Sequence, residues 1–432
     1  MQGWGRMSKI NKKQLLPKLR FPEFQSADEW KANILKNISP AIYDGTHQTP
    51  TYIEAGIPFF SVENIVSGNK NKFISREDYL VATSKNKPEK GDILITRIGN
   101  IGFSVVIDWD YEFSIYVTLA IIKKSTLFNS YYLNSYFQSD RYQNELRSKS
   151  LLNAVPCKIN MDELRKTEVL LPPLKPEQQK IADCLTTLDE LITAEAGKLE
   201  AYKAHKKGLM QKLFPAEGET VPERRFPEFR GKGEWEEKKF GQLCHFVRGP
   251  FGGALKKDIF VSDGYAVYEQ SHAIYGDFNS FRYFITQEKY KELNRFSVLQ
   301  GDIIMSCSGT MGKFAVIPET YKEGVINQAL LKLTVKTGYH LDFIKFTLEL
   351  PINQEKLLSQ SAGGAIKNVV GVGQMKEIPL CVPKNNEQQK IADCLTSLDD
   401  LIIAEARKLE ALKAHKKGLM QGLFPPADEV GV

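Results

Sequence analysis

Residues 177–215 read EQQKIADCLTTLDELITAEAGKLEAYKAHKKGLMQKLFP, and residues 387–425 read EQQKIADCLTSLDDLIIAEARKLEALKAHKKGLMQGLFP. Aligned at an offset of 210 positions, 33 of these 39 residues are identical, so the chain carries a tandem duplication. In the first copy apolar residues fall at Ile181, Leu185, Leu188, Ile192, Leu199, Tyr202, Leu209 and Leu213, with Glu195 and Lys206 filling the two gaps. The steps alternate between four and three, which is the seam of a coiled coil sustained for about five heptads. The second copy repeats it at Ile391, Leu395, Leu398, Ile402, Glu405, Leu409, Leu412, Lys416, Leu419 and Leu423. Pro176 suits a first helical turn, and Pro215 and Pro425 mark helix ends.

The charges in the seam bear on how the two helices pair. A parallel, in-register pair sets Glu195 against Glu405 and Lys206 against Lys416. An antiparallel pair can set Glu195 against Lys416 and Lys206 against Glu405. The remaining facing pairs are then apolar: Leu188–Leu423, Ile192–Leu419, Leu199–Leu412, Tyr202–Leu409, Leu209–Ile402 and Leu213–Leu398. That antiparallel register is the expectation. The alternative is that the four charges snorkel to solvent and specify nothing. The overlap Leu188–Leu213 spans 26 residues, roughly 39 Å at the helical rise, close to the about 34–36 Å of one turn of B-DNA.

The repeat extends beyond the helices. RFPEF at Arg20–Phe24 returns at Arg225–Phe229, and Glu29-Trp30 returns as Glu234-Trp235. GDILITRIGNIG at Gly91–Gly102 aligns with GDIIMSCSGTMG at Gly301–Gly312. Elsewhere the roughly 150 residues before each helix have diverged almost completely. The expected organisation is an α+β protein with two tandem globular domains, each followed by a long helix, and with the two helices paired as an antiparallel coiled coil. Its segments are a tail at 1–19, a first domain at 20–174, a first helix at 175–215 and a linker at 216–224. A second domain at 225–384, a second helix at 385–425 and a tail at 426–432 complete it. Identical helices beside diverged domains imply one shared task and two distinct ones.

Lys plus Arg number 58 against 52 acidic residues, a net charge of +6, which permits a nucleic-acid partner without demanding one. The six cysteines are scattered, with no spacing suited to zinc. With no signal peptide and no apolar run of membrane length, the chain reads as cytoplasmic with reduced thiols.

Within each domain, short strands such as Asp92–Thr96 and Ser104–Ile107, or Asp302–Ser306 and Phe314–Ile317, flank glycine turns. One amphipathic helix follows around Tyr131–Leu146, and another around His340–Leu358. In the second domain Arg248–Lys257 sets a glycine-rich loop beside Arg248, Lys256 and Lys257, a pattern suited to phosphate. Arg97 and Lys313, beside the glycine turns, read as exposed cations, and Gln270, Ser271 and His272 have the chemistry of base-edge readers. Phe59, Phe60, Tyr131 and Tyr132 fit a core better than a base-stacking surface. Gly99, Gly102, Gly309 and Gly312 either shape turns or approach a ligand. No phosphate-loop motif, no amino-methyltransferase tetrapeptide and no convincing nuclease carboxylate cluster occurs, although Asp92 and Asp302 both follow a glycine. The expectation is a chain with no catalytic residue, no metal and no cofactor of its own.

Two diverged domains, each opening on RFPEF, carrying GDIL with glycines beyond, and ending in EQQKIADCL…KLEA…HKKGLMQKLF, resemble the specificity subunit of type I restriction–modification systems over essentially the whole chain. The resemblance implies that each domain recognises one half of a bipartite duplex DNA target. It also implies two copies of a DNA adenine methyltransferase subunit using S-adenosylmethionine, docked on the paired helices. Two restriction/translocase subunits using ATP and Mg2+ would complete an endonuclease. DNA contact is assigned to His47, Arg97 and Asn100 in the first domain and to Arg248, Lys256, Lys257, Gln270, His272, Lys313 and Lys367 in the second. A free-standing bipartite DNA-binding regulator is the alternative function.

Overall fold

The EQQK motif that opens each long helix explains itself in the computed structural model, which describes residues 15–250, 253–358 and 371–426. Glu177 lies in the first turn of the helix Lys175–Leu213, where the helix start favours a carboxylate. It is almost wholly buried, and Arg20 grips it through Nε and Nη2, both 2.8 Å from its oxygens. Trp30 Nε1 adds a third donor at 3.1 Å. Arg225 grips Glu387 in the same way, at 2.8 and 2.5 Å, in the first turn of the helix Asn385–Leu423. Two parallel charge-assisted bonds out of water fix both distance and angle, so the RFPEF opening of each domain is pinned to its own helix. The adjacent glutamines act alongside: Gln178 accepts from the Asn129 N–H at 2.8 Å, and Gln388 from the His340 N–H at 2.9 Å.

The chain divides into two units, one running up to Ala196 and resuming at Arg407, the other spanning Gly197–Ala406. In the first unit a four-stranded antiparallel sheet has the order Ile42–Asp44, Leu119–Ile122, Ile93–Thr96, Ser104–Val106. A three-stranded sheet (Phe73–Ile74, Ile57–Phe60, Ser114–Ile115) and the pair Lys31–Ile34 with Glu168–Leu171 complete it. The second unit repeats this topology with Cys244–Arg248, Leu330–Val335, Ile303–Ser306 and Phe314–Val316 as its larger sheet. Phe284–Ile285, Tyr265–Tyr268 and Gly324–Ile326 form its three-stranded sheet, and Glu236–Lys239 pairs with Pro379–Val382. Phe59, Phe60 and Tyr132 are core, while Tyr131 is exposed.

Each core takes in the far end of a long helix. In the first unit Phe424 packs edge-on to Trp30, Tyr132 and Tyr136, with centroids 6.4, 6.0 and 5.6 Å away. In the second, Phe214 meets Trp235 at 6.0 Å and Phe343 at 5.4 Å. Removing a buried phenylalanine of this kind costs about 3–5 kcal/mol. The backbone closes both joints alike, with Leu19 N–H on Gly422 O and Arg224 N–H on Lys212 O, both 2.8 Å.

Two expectations need correction. The amphipathic stretches are each two helices: Ser130–Phe137 and Asp140–Ser148, then Leu341–Glu349 and Pro351–Leu358. Ser139 caps the second helix through its side chain, and Pro351 starts its counterpart where a proline is tolerated. The helix pairing is antiparallel, but its register differs from the expected one by about a heptad. In the first unit Glu195 pairs with Lys408, and Lys416 pairs with Asp189 at 2.5 Å. In the second, Glu405 pairs with Lys198 at 2.8 Å and Lys206 with Asp399 at 2.5 Å. Seam charges therefore meet flanking charges rather than each other. A seam glutamate keeps its carboxylate buried while a flanking lysine reaches in from the rim, which demands less desolvation than two facing seam charges. Leu199 and Leu409 are buried, and the other apolar seam positions from Leu188 to Leu213 and from Leu398 to Leu423 are buried or half-buried.

Glu177→Ala strands Arg20 and Trp30 in a buried site and is expected to destabilise the protein by about 3–5 kcal/mol, read by chemical unfolding; Lys203→Ala, on an exposed pair with Glu200, serves as the near-neutral control. A double-mutant cycle on Lys206 and Asp399 is expected to return a coupling of about 0.5–1 kcal/mol, with none between Lys206 and Glu405.

Candidate nucleic-acid interface

Loops gather at one rim of each four-stranded sheet. In the first unit Asp44, Leu119 and Thr96 lie together where their strands end or begin, since Asp44 faces Ala120 and Thr96 faces Leu119. The chain then turns through Gly99–Gly102 and back into Ser104–Val106. The Thr96 hydroxyl closes that turn, donating to Asn100 O and accepting from the Phe103 N–H at 2.9 Å. Ser306 does the same in the second unit, with Thr310 O at 2.7 Å and the Lys313 N–H at 3.0 Å. Gly102 (φ 89°) and Gly312 (φ 71°) sit in left-handed backbone, and a Cβ there would stand 2.8 Å from Gln143 and 2.5 Å from Gln354. These glycines shape the turn.

The aspartates that open the motif are structural too. Asp92 is fully buried and accepts from the N–H groups of Glu89 (2.8 Å) and Lys124 (2.9 Å) and from Lys123 Nζ (2.7 Å). Asp302 accepts from the Leu299 N–H at 2.8 Å and from the Thr334 hydroxyl, with Lys332 Nζ at 3.6 Å. With their oxygens engaged, neither is disposed to hold Mg2+. Among the described residues no cluster of His, Cys, Asp and Glu is grouped to hold a metal, and no helix is long and apolar enough to cross a membrane.

The candidate contact residues divide. His47 is exposed, its Nε2 3.2 Å from Asp44 Oδ2. Asn100 is exposed at the tip of its turn. Arg97, expected to be an exposed cation, is only 7% exposed. Its Nη1 donates to Val117 O at 2.7 Å and lies 3.4 Å from Asp44. Burial pushes its pKa below the usual arginine range, against the pull of Asp44. Arg97 braces the rim instead of projecting from it.

In the second unit Lys256, Lys257 and Lys313 are exposed and Arg248 is half-exposed at the end of its strand. The Gln270 amide packs on the opposite turn, 3.2 Å from where a Cβ on Gly309 would stand. His272 is internal, contrary to its expected role. It stacks on Phe281 at 4.7 Å, its Nδ1 accepts from the Glu269 N–H at 2.9 Å, and its Nε2 lies 3.1 Å from Ser280 O. Its place in the fold is that of Asn64 in the first unit, whose side chain caps the matching helix start. Lys367 lies outside the described residues.

One relation escaped the sequence reading. Arg97 aligns with Cys307 at the 210-residue offset, while Asp44 occupies the strand-end position held by Arg248 in the second unit. Arg248 stands beside Cys307, whose thiol burial pushes up to about 11 against the pull of that guanidinium. Both rims thus hold one guanidinium, supplied from different strands. The charge signs at the two strand ends, Asp44 against Arg248, were the signal available in the sequence.

Comparison with known proteins agrees with this two-fold design. The chain is 23% identical over 423 residues to the putative type I restriction enzyme MjaX specificity subunit of Methanocaldococcus jannaschii, covering 92% of this chain and 93% of that protein. The type I restriction-modification system S subunit from M. genitalium has the same fold, with a TM-score of 0.61 at 15% identity, covering 95% of this chain and 99% of that one. A chain from a structural study of complex assembly and conformational transition of the type I R-M system superposes with a TM-score of 0.53 at 15% identity, covering 91% and 96%. The profile of the type I restriction modification DNA specificity domain matches twice, at residues 32–203 and 232–414, and the chain belongs to that family.

Proposed function

We propose that this chain is the DNA-reading subunit of a type I methylation and restriction assembly, each unit recognising one half of a bipartite duplex target and the long helices acting as the spacer. One observation carries the reading: a single topology occurs twice, with the helices kept near-identical and the rims diverged. Packing alone does not require exposed helix residues to match. Yet Gln179, Asp183, Leu191, His205 and Lys207 recur as Gln389, Asp393, Leu401, His415 and Lys417, all on exposed faces. Repeated exposed faces suit two copies of one partner, and diverged rims suit two different half-sites. The partner is a DNA adenine methyltransferase subunit, present twice, which holds S-adenosylmethionine and receives the flipped adenine. Restriction/translocase subunits with ATP and Mg2+ join the same scaffold, in the cytoplasm. This chain contributes recognition and no bond-making step, and the repeated exposed helix faces favour the assembly over a free-standing regulator.

Long-read sequencing of host DNA with and without the gene is expected to show N6-methyladenine lost from one bipartite motif on deletion; a methylome unchanged while the methyltransferase is expressed removes this reading. In the assembled complex, Lys313→Ala is expected to weaken binding to all sequences alike and to reduce the slope of log K against log salt by about one.

A further inference from the structure

The first unit presents an apolar tip on the loop Leu151–Pro156. Leu151 is 49% exposed, Leu152 58% and Val155 100%, three aliphatic side chains within five positions. Single exposed aliphatics are ordinary, but a cluster on a held loop marks a surface that another molecule covers. This loop is held. Leu151 N–H bonds Lys158 O at 2.7 Å, Gly99 N–H bonds Cys157 O at 2.8 Å, and the Cys157 thiol donates to Gly99 O at 2.9 Å. Lys158 also bridges Ile98. The tip is therefore built onto the glycine turn that carries Asn100, at the rim described above.

We propose that Leu151, Leu152 and Val155 form a half-site-specific reader that packs on thymine C5-methyl groups in the major groove. The inference rests on the proposed DNA-reading function and deepens it. Three observations select the occupant. A surface for the shared protein partner would recur in both units, as the exposed helix faces do. Here SKSLLNAVPCKIN at 148–160 stands against SQSAGGAIKNVVG at 359–371: Ile366 matches Val155, but Ala362 and Gly363 stand where Leu151 and Leu152 are, so the leucine pair belongs to the first unit alone. Arg147, Lys149 and Lys158 flank the tip and outnumber the carboxylates near Lys149, Glu145 and Glu163, a balance that suits a polyanion. The apolar feature that base pairs display in the major groove is the thymine methyl. Exposed Asn153, between the leucines and Val155, carries the amide that matches the adenine edge of the same pair.

The test uses the full chain assembled with its methyltransferase, comparing wild type with Leu152→Ser/Val155→Ser, both positions exposed and outside the core. Wild type is expected to bind the bipartite duplex about fourfold more weakly for each contacted thymine replaced by uracil, the loss of one buried methyl. The variant should show no such difference. Its methylome should relax at A·T positions of one half-site and keep the other. Retained thymine–uracil discrimination with an unchanged motif overturns the tip and leaves the DNA-reading function standing. Loss of co-purification with the methyltransferase also overturns it, because the tip would then be a protein-docking surface. A wild-type assembly with no bipartite motif at all rejects the DNA-reading function itself.

Discussion

A buried carboxylate at the head of each long helix, held by an arginine from the start of its domain, organises everything that follows. An ion pair out of water contributes little net stability compared with an apolar contact, but once half of it is in place the other half is obligatory. Glu177 and Glu387 thus act as keys: only a guanidinium presented at the angle of Arg20 or Arg225 satisfies them. The glutamines beside them engage the backbone ahead of the next helix of the domain. With these joints fixed, the sheets have a set orientation on their helices, and the rim loops inherit it.

Much of this was open to reading from the residues. The heptad seam, the antiparallel sense and the repeated domain architecture follow from apolar spacing and from the 210-residue offset. The register did not follow, because seam charges were matched only with one another. Asp189, Asp399, Lys198 and Lys408, one step off the seam, offered equal complementarity at lower desolvation. The rims were harder still. Whether Arg97 projects or braces depends on Asp44, more than fifty positions away in sequence, and on a carbonyl at Val117 that no local pattern announces. His272 carries the chemistry of a base reader, but the rings of Phe278 and Phe281 claim it for the core.

The two rims show how one framework carries two specificities. Hydroxyls at Thr96 and Ser306 and glycines at equivalent positions build the same turn, so its backbone is independent of the side chains it displays. Charge can then change sign at a strand end, Asp44 against Arg248, without disturbing the sheet. Rigid turns with replaceable side chains are what a reader of arbitrary half-sites requires.

The distribution of each core along the chain also sets an order of events during synthesis. The second unit is contiguous, Gly197–Ala406, and all the residues of its core are available once that stretch has left the ribosome. The first unit starts earlier but needs Leu423 and Phe424 to seal the aromatic cluster around Trp30 and Tyr132. At about 5–20 residues per second, translation leaves that cluster open for at least about 10 s after Ala196 has been made. The domain that begins first is the last to close, and nascent chains cut short between residues 406 and 424 would carry a finished second unit and an unsealed first one.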